Sequence, residues 1–144
     1  MRINQHTDYA LRVLVFLACH PGERVTTRVI SDAFKLSHAH LQKVVRSLGE
    51  LGVVELARGR NGGVALARAP EEISVGAVLR ALDEDQPIVE CFDPATDQCV
   101  ISPVCALRGA FATAREAFYA ALDGVTIAAI VRGRRTAQLR GFMG

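Results

Sequence analysis

The chain has 144 residues, of which 50% are hydrophobic, so it is long enough for one small domain with its own core. No apolar run reaches the roughly 18 residues of a membrane-spanning helix, and the N-terminus lacks a cleavable signal pattern. We therefore expect a cytoplasmic protein with no membrane partner. The net charge of +2 is unevenly distributed: residues 1–70 hold ten Lys/Arg against five Asp/Glu, residues 71–105 one against eight, and residues 106–144 six against two. The basic N-terminal half predicts a polyanionic partner.

The first predicted element is a largely buried helix over residues 7–19, because apolar side chains recur there at helical spacing. Thr7 or Asp8 can cap its start, and Pro21-Gly22 ends it. Cys19 lies near its end among apolar neighbours, which favours a small core residue.

Two further helices follow closely. The second runs from Thr26 or Thr27 to about Phe34, and the third begins after Ser37, which caps it. The apolar residues of the third helix fall within one narrow arc, so a polar and basic face lies opposite. Two close helices, the second with such a face, are typical of a helix-turn-helix that reads the DNA major groove.

A β-hairpin is predicted next, since two strand-like segments, 53–56 and 64–66, flank an Asn-Gly pair. Its base carries Arg58 and Arg60, which makes it a basic wing suited to phosphates or a narrow minor groove. Three helices followed by a basic hairpin is the order of a winged helix-turn-helix. We expect DNA contacts from Arg28, Ser37, His38, Ala39, Gln42, Lys43, Arg46, Arg58, Arg60 and Asn61.

Beyond the wing, Ser74 is expected to cap a fourth helix that ends by residues 83–87. A long helix begins after Cys105 and carries an apolar stripe at spacings of three and four. The stripe could cover its own domain, but we expect it to pack on the same helix of a second copy, a homodimer through residues 105–122. Asp123-Gly124 ends it, a short helix spans 127–131, and the tail is expected to be basic and frayed.

The expected fold class is therefore mainly α with a small β-hairpin, a winged helix-turn-helix plus a long C-terminal dimerisation helix. The expected organisation has three parts: a DNA-binding domain over 1–70, a linking helix and cysteine-rich loop over 71–105, and a dimerisation helix and tail over 106–144.

Three cysteines mark the acidic segment, at Cys91, Cys99 and Cys105. Thiolates are soft ligands that select iron–sulfur clusters, zinc or cuprous copper. Zinc sites usually show paired C-x2–4-C knuckles, whereas these spacings are looser and suit a loop around a larger group. A disulfide switch needs only two thiols. The residues alone leave a cluster, zinc and redox switching open.

An enzyme is not expected. The sequence contains no nucleophile elbow, no paired catalytic carboxylates in helical register, no phosphate-binding loop and no C-x-x-C redox pair.

Together these motifs resemble the NsrR/IscR/RirA superfamily of winged-helix iron–sulfur regulators. The resemblance rests on the start MRINQHTDYALRVL, the helix SHAHLQKVV, the wing RGRNGGVAL, and CFDPATDQC followed by ISPVC, and it covers nearly the whole chain. Within the superfamily, these segments are most similar to NsrR-type nitric-oxide-sensing repressors.

The resemblance implies that Cys91, Cys99 and Cys105 ligate one iron–sulfur cluster, a [4Fe–4S], with Asp8 of the other subunit as fourth ligand. Alternatively, Asp8 only caps the first helix. IscR-type members use a histidine three residues after the last cysteine, where this chain has Arg108.

The implied function is a repressor that binds double-stranded DNA and senses nitric oxide through the cluster, whose nitrosylation releases the DNA. The alternatives are an iron-responsive RirA-type repressor and a thiol-redox or zinc-dependent winged-helix regulator.

Overall fold

The computed structural model describes residues 3–59, 62–83 and 87–143, and over these ranges the chain is mainly helical with one antiparallel hairpin. No described helix is both long and apolar enough to cross a bilayer. The elements in chain order are α1 (Gln5–Cys19), α2 (Thr27–Phe34), α3 (His38–Glu50), β1 (Val54–Ala57), β2 (Gly63–Leu66), α4 (Val75–Asp83), α5 (Ala106–Asp123), α6 (Ile127–Val131) and α7 (Arg134–Met143).

Helix α1 is the centre of the fold, with α3 packed along it on one side and α4, α6 and α7 also in contact with it. The Asn4 side chain caps α1, accepting a hydrogen bond from the Thr7 N–H at 2.8 Å. The expectation that Thr7 or Asp8 caps this helix was therefore wrong, because α1 begins two residues earlier than its apolar periodicity indicates. Cys19 is fully buried, which confirms its assignment to the core.

The two helices of the helix-turn-helix are joined by a three-residue turn. Thr26 and Ser37 cap α2 and α3, as their positions predicted, and Lys35 turns the chain in the left-handed region at φ 54°. The apolar arc of α3 is buried against α1 and α2, because all four residues of that arc point inward. These residues are Leu41, Val44, Val45 and Leu48.

The wing pairs β1 with β2 in a register that runs from Val54↔Leu66 to Ala57↔Gly63. The base of the wing is attached to the residue before the α2 cap, since Val25 and Val64 exchange backbone hydrogen bonds of 3.0 and 2.8 Å. Gly63 has φ +151°, and a Cβ there would meet the Val25 carbonyl oxygen at 2.7 Å, so only glycine fits. The wing therefore has a fixed position beside the helix-turn-helix.

Helices α4 and α5 approach closely at Gly76, where a Cβ would lie 2.3 Å from Asp123 Oδ1. Arg80 joins the two helices: it contacts Glu116 at 2.7 Å and Asp123 at 2.9 Å, and its guanidinium lies 5.0 Å from the centre of the Tyr119 ring. Ser74 accepts from the Ala77 N–H, which confirms the predicted cap of α4. The C-terminal half of α5 is thereby attached to the core through α4.

The C-terminal tail is a helix, so its expected fraying was wrong. Met143 is buried, and the guanidinium of Arg140 donates to the carbonyl oxygen of Cys19 at the end of α1. Arginine carries its charge on a long apolar stem, so it can pack on the core while its head bonds a backbone carbonyl. The charge of the tail alone does not reveal this docking.

Candidate DNA interface and cysteine-loop site

The outer face of α3 carries the four residues that the helical arc placed there. Their side chains are exposed, and this set comprises Ala39, Gln42, Lys43 and Arg46. Arg46 contacts Glu50 one turn later at 3.1 Å, with 80% of the Arg46 side chain exposed. An exposed ion pair of this kind is weak and exchanges readily. Arg46 is therefore free to turn to a phosphate or a guanine edge.

The start of α3 is also accessible. Ser37 is exposed and its hydroxyl accepts from the His40 N–H at 3.4 Å, while His38 is half-buried. The buried Nδ1 of His38 has no hydrogen-bond partner among the described residues. Lys35, in the turn before α3, is exposed and was not among the predicted contacts. It is the first residue of the connection between α2 and α3, two positions before the α3 cap.

Two of the other predicted DNA-contacting residues, Arg28 and Arg58, are exposed. Arg28 is exposed on α2 and forms an i,i+4 pair with Asp32 at 3.5 Å. Arg58 is exposed at the end of β1. Arg60 and Asn61, predicted for the wing tip, lie outside the described residues.

The inner side of α3 rests on a cluster of ring side chains that the sequence did not indicate. His6 Nε2 lies 3.1 Å from Ser47 Oγ, and the His6 and His40 rings are 6.0 Å apart. Tyr9 packs against His40 at 5.0 Å. Burial, followed by the proximity of His40, holds the pKa of His6 below its ordinary value. The first turns of α1 therefore support the recognition helix at both its start and its later turns.

The three cysteines of the acidic segment are free thiols in one loop. Cys91 and Cys105 are half-buried and Cys99 is exposed, so the solvent reaches all three residues. Acidic side chains shape the loop by accepting backbone hydrogen bonds: Glu90 from the Gln98 N–H at 2.7 Å and Asp97 from the Cys99 N–H at 3.1 Å. The Ser102 hydroxyl lies beside the Asp97 carboxylate, although its geometry is not that of a good hydrogen bond. This hydroxyl and the Cys99 N–H lower the pKa of Asp97.

A groove of about 710 Å³ opens beside Cys105, between the loop and the first turns of α5. Arg108 and Arg115 border it, and the Arg115 guanidinium lies 4.9 Å from the centre of the Phe92 ring, next to Cys91. The buried Ser102 hydroxyl also lines this groove. Cys105 therefore lines a cavity with basic and hydroxyl groups, and so does Phe92, the residue after Cys91.

The chemistry of the donor set fits a thiolate-bound metal group, because three accessible thiols share one loop. The described conformation does not gather them: over residues 3–59, 62–83 and 87–143, no three His, Cys, Asp or Glu side chains are close enough to hold one metal ion. The loop thus has three suitable thiol ligands close together in sequence. To bind one metal group, the loop would have to close and bring these thiols together.

Asp8, the predicted oxygen ligand, lies on a separate surface of α1. Its carboxylate pairs with Arg12 at 2.6 Å, and 44% of each side chain is exposed. Arg12 also lies over the Tyr9 ring, with 5.6 Å from the guanidinium to the ring centre. Because Asn4 caps α1, this carboxylate has no capping role and is available to a second molecule.

Comparison with known proteins agrees with this arrangement. The sequence matches the Rrf2 family, described as iron-dependent transcriptional regulators, over residues 3–133. It is 45% identical to the HTH-type transcriptional regulator NsrR of Geobacillus kaustophilus, covering 99% of this chain and 97% of the relative. It is 38% identical to the HTH-type transcriptional repressor NsrR of Streptomyces coelicolor, covering 91% and 88%. The fold matches that of T. potens IscR with a TM-score of 0.72 and 23% identity, covering 96% and 91%.

These relatives are transcriptional regulators, which agrees with the exposed basic face of α3 and with the expectation that the chain is not an enzyme. The helix-turn-helix and wing have the form of a DNA-binding domain. The chain therefore belongs to the Rrf2 family of iron-dependent transcriptional regulators, and within that family it is similar to the NsrR type.

Proposed function

We propose that this chain is a homodimeric repressor that senses nitric oxide through an iron–sulfur cluster. The observation that carries the proposal is the distribution of its cysteines. Cys19 is buried in the core. The other three cysteines are accessible in one acidic loop between α4 and α5: Cys91, Cys99 and Cys105. Similarity to regulators named NsrR supports the same assignment.

In this proposal, α3 and the wing bind the DNA. Gln42 would read an adenine edge, Lys43 and Arg46 a guanine edge or a phosphate, and Arg58 the backbone beside the groove. Two copies would place their recognition helices about 34–36 Å apart, one turn of DNA, on a two-fold symmetric site.

The homodimer would form on α5, within residues 105–122. The N-terminal half of this helix has an uncovered apolar stripe: Leu107 is 62% and Phe111 is 40% exposed. Covering a leucine or phenylalanine side chain contributes about 1.5–3 kcal/mol, so two such stripes facing each other favour association.

The dimer is tested by sedimentation of the Phe111→Asp variant. We expect it to shift the protein to monomers and to weaken DNA binding, because one recognition helix alone makes half of the contacts. Thr113→Asp adds the same charge on another side of α5 and serves as the matched control. Dimers of unchanged strength in Phe111→Asp would place the interface elsewhere.

Cys91, Cys99 and Cys105 would hold a [4Fe–4S] cluster, and Asp8 of the second copy would supply the fourth ligand. When bound, the cluster would supply iron that reacts with nitric oxide. A carboxylate is a harder ligand than a thiolate, so Asp8 would be the exchangeable member of the set. Loss of the thiolate bonds would free the loop, loss of the Asp8 bond would free α1 of the second copy, and both would change the position of the DNA-binding face.

The cysteine assignment is tested by iron and sulfide assays on protein made without oxygen. We expect Cys91→Ser, Cys99→Ser and Cys105→Ser each to lose most of the iron and sulfide, while Cys19→Ala retains both. Equal iron content in all four variants would exclude the loop as the site. Protein that contains zinc or no metal would favour a zinc or thiol switch. A cluster that responds to iron chelation and ignores nitric oxide would favour an iron-responsive repressor.

A further inference from the structure

The last residue of α4 is bonded to the first turn of α1. Asp83 is 8% exposed, and its Oδ1 accepts hydrogen bonds from Thr7 Oγ1 and Asn4 Nδ2, both at 2.7 Å. Thr7 is fully buried, and Asn4 also caps α1. We call these three residues the α1–α4 joint.

The joint is a strong contact for its size. One carboxylate oxygen takes two short hydrogen bonds away from solvent, and bonds to a charged acceptor are stronger than neutral ones. Removing one donor leaves part of a buried carboxylate without a partner, which costs more than the bond itself contributes. The end of α4 and the start of α1 therefore tend to move together.

On one side of the joint lies the cysteine loop. Asp83 is the final residue of α4, and Cys91 follows eight positions later. At its other end the loop leads into α5, which Arg80 attaches to the middle of α4. Among the described residues, a change in the loop can therefore reach α4 through α5 and the ion pairs of Arg80.

On the other side of the joint lies the recognition helix. His6, the residue before Thr7, reaches Ser47 of α3 at 3.1 Å. The His6 and Tyr9 rings pack against His40 in the first turn of α3, at 6.0 and 5.0 Å. A shift of the first turn of α1 is therefore passed to two separate turns of α3.

We propose that Asp83, with Thr7 and Asn4, is a positioning element that couples the state of the cysteine loop to the position of the recognition helix. Asp83 is nearly buried and bonds to Asn4 and Thr7, so in this proposal it acts through α1. This inference rests on the proposed function, in which DNA affinity depends on the loop being metal-bound.

The test compares Thr7→Val with Thr7→Ser. Valine keeps the shape of threonine and removes the hydroxyl donor, whereas serine keeps the donor. For each full-length protein, prepared anaerobically, we would measure affinity for a DNA fragment selected from a random pool, with the iron and sulfide present and again after their removal. The ratio of the two affinities is the coupling.

We expect Thr7→Val to reduce the coupling by about tenfold, the order of one hydrogen bond to a charged group, with an unchanged absorption spectrum and iron content. Thr7→Ser should keep the coupling of the wild type, because serine retains the hydroxyl donor. Asp83→Ala should have at least the effect of Thr7→Val, and Glu71→Gln, which removes an exposed acid, should have none. General destabilisation lowers both affinities together and leaves the ratio unchanged.

A second readout needs no metal. In the metal-free protein, Thr7→Val should speed amide hydrogen exchange in residues 38–47 relative to Thr7→Ser. Full coupling in Thr7→Val and Asp83→Ala, or equal losses in Thr7→Val and Thr7→Ser, would overturn the inference. A wild-type protein whose DNA affinity is the same with and without iron and sulfide would contradict the proposed function itself.

Discussion

The guanidinium of Arg12 holds the carboxylate of Asp8 at 2.6 Å, one helical turn away on the surface of α1. The pair competes with any other use of that carboxylate. The pair is nevertheless weak, because an exposed ion pair contributes only about 0–1 kcal/mol to stability. Asp8 can therefore be released to a partner at little cost.

Replacing Asp8 separates its two possible roles. We expect Asp8→Ala to change the free energy of unfolding of the metal-free protein by less than about 1 kcal/mol, because only an exposed pair is lost. The same variant should lose its iron and sulfide faster in air, measured as the decay of visible absorption.

Asn4→Ala is the comparison for that experiment. Loss of the N-cap should lower the free energy of unfolding by about 1 kcal/mol or more. If Asp8→Ala destabilises the metal-free protein as much as Asn4→Ala does, while its cluster decays at the wild-type rate, the carboxylate is structural and not a ligand.

Arg46 should contribute to DNA affinity without contributing to stability. We expect Arg46→Ala to weaken binding by about 1–3 kcal/mol and, where the contact is to phosphate, to reduce the slope of log K against log salt by about one. Fluorescence anisotropy over a series of salt concentrations measures both. Arg134→Ala removes another exposed arginine, from α7, and an equal loss in that variant would show that the effect is only one of net charge.

The contact between α4 and α5 should depend on Gly76 and Arg80. A methyl group at residue 76 would overlap Asp123 Oδ1 and the Asp123 backbone, so Gly76→Ala should lower the melting temperature and separate the helices. Arg80→Ala should also lower the stability, since it loses two carboxylate partners and the contact with Tyr119.

Arg28→Ala is the control for Arg80→Ala. Its pair with Asp32 is a single i,i+4 contact with 72% and 70% of the side chains exposed, so its loss should be within about 0.5 kcal/mol. Chemical unfolding of the metal-free proteins would compare the two. Equal effects would mean that the Arg80 cluster adds nothing to the α4–α5 contact.

Acidification should weaken the fold through His6. Burial and the nearby His40 lower the pKa of His6, so the folded state disfavours its protonation. Below the ordinary value of 6.5 the unfolded chain binds more protons at this residue, and stability is lost as the pH falls through 6.5 toward the lower folded value. Thermal unfolding of the metal-free protein at pH 7.5 and 5.5 measures this loss.

We expect His6→Gln to reduce the difference between the two pH values. His20→Gln, which removes a histidine at the other end of α1, should keep the His6 contribution. An identical pH dependence in wild type and His6→Gln would exclude His6 as its source.

Much of the fold followed from local signals. The caps at Thr26, Ser37 and Ser74 and the apolar arc of α3 are set by neighbours within one or two turns, and the structure confirms them. The end of α5 at Asp123 also matches its glycine signal.

The features that sequence reasoning missed depend on distant partners. The C-terminal tail packs on the core because Arg140 donates a hydrogen bond to the carbonyl oxygen of Cys19, 121 positions away. The contact of Asp83 with Thr7 spans 76 positions, and no periodicity indicates it. The same holds for the cysteines: the sequence places three thiols in one loop, but it does not indicate that the described fold leaves them too far apart to hold one metal ion.

The most direct test of the account is an anaerobic titration with nitric oxide in which visible absorption and DNA anisotropy are read on the same sample. We predict a broad absorption band with matching iron and sulfide, its bleaching by nitric oxide, and a parallel loss of DNA binding in the wild type. A metal-free Cys105→Ser control should bind DNA weakly from the start, and nitric oxide should not change that binding. DNA binding that persists after the band has been bleached would contradict the claim that the cysteine loop controls the DNA-binding face.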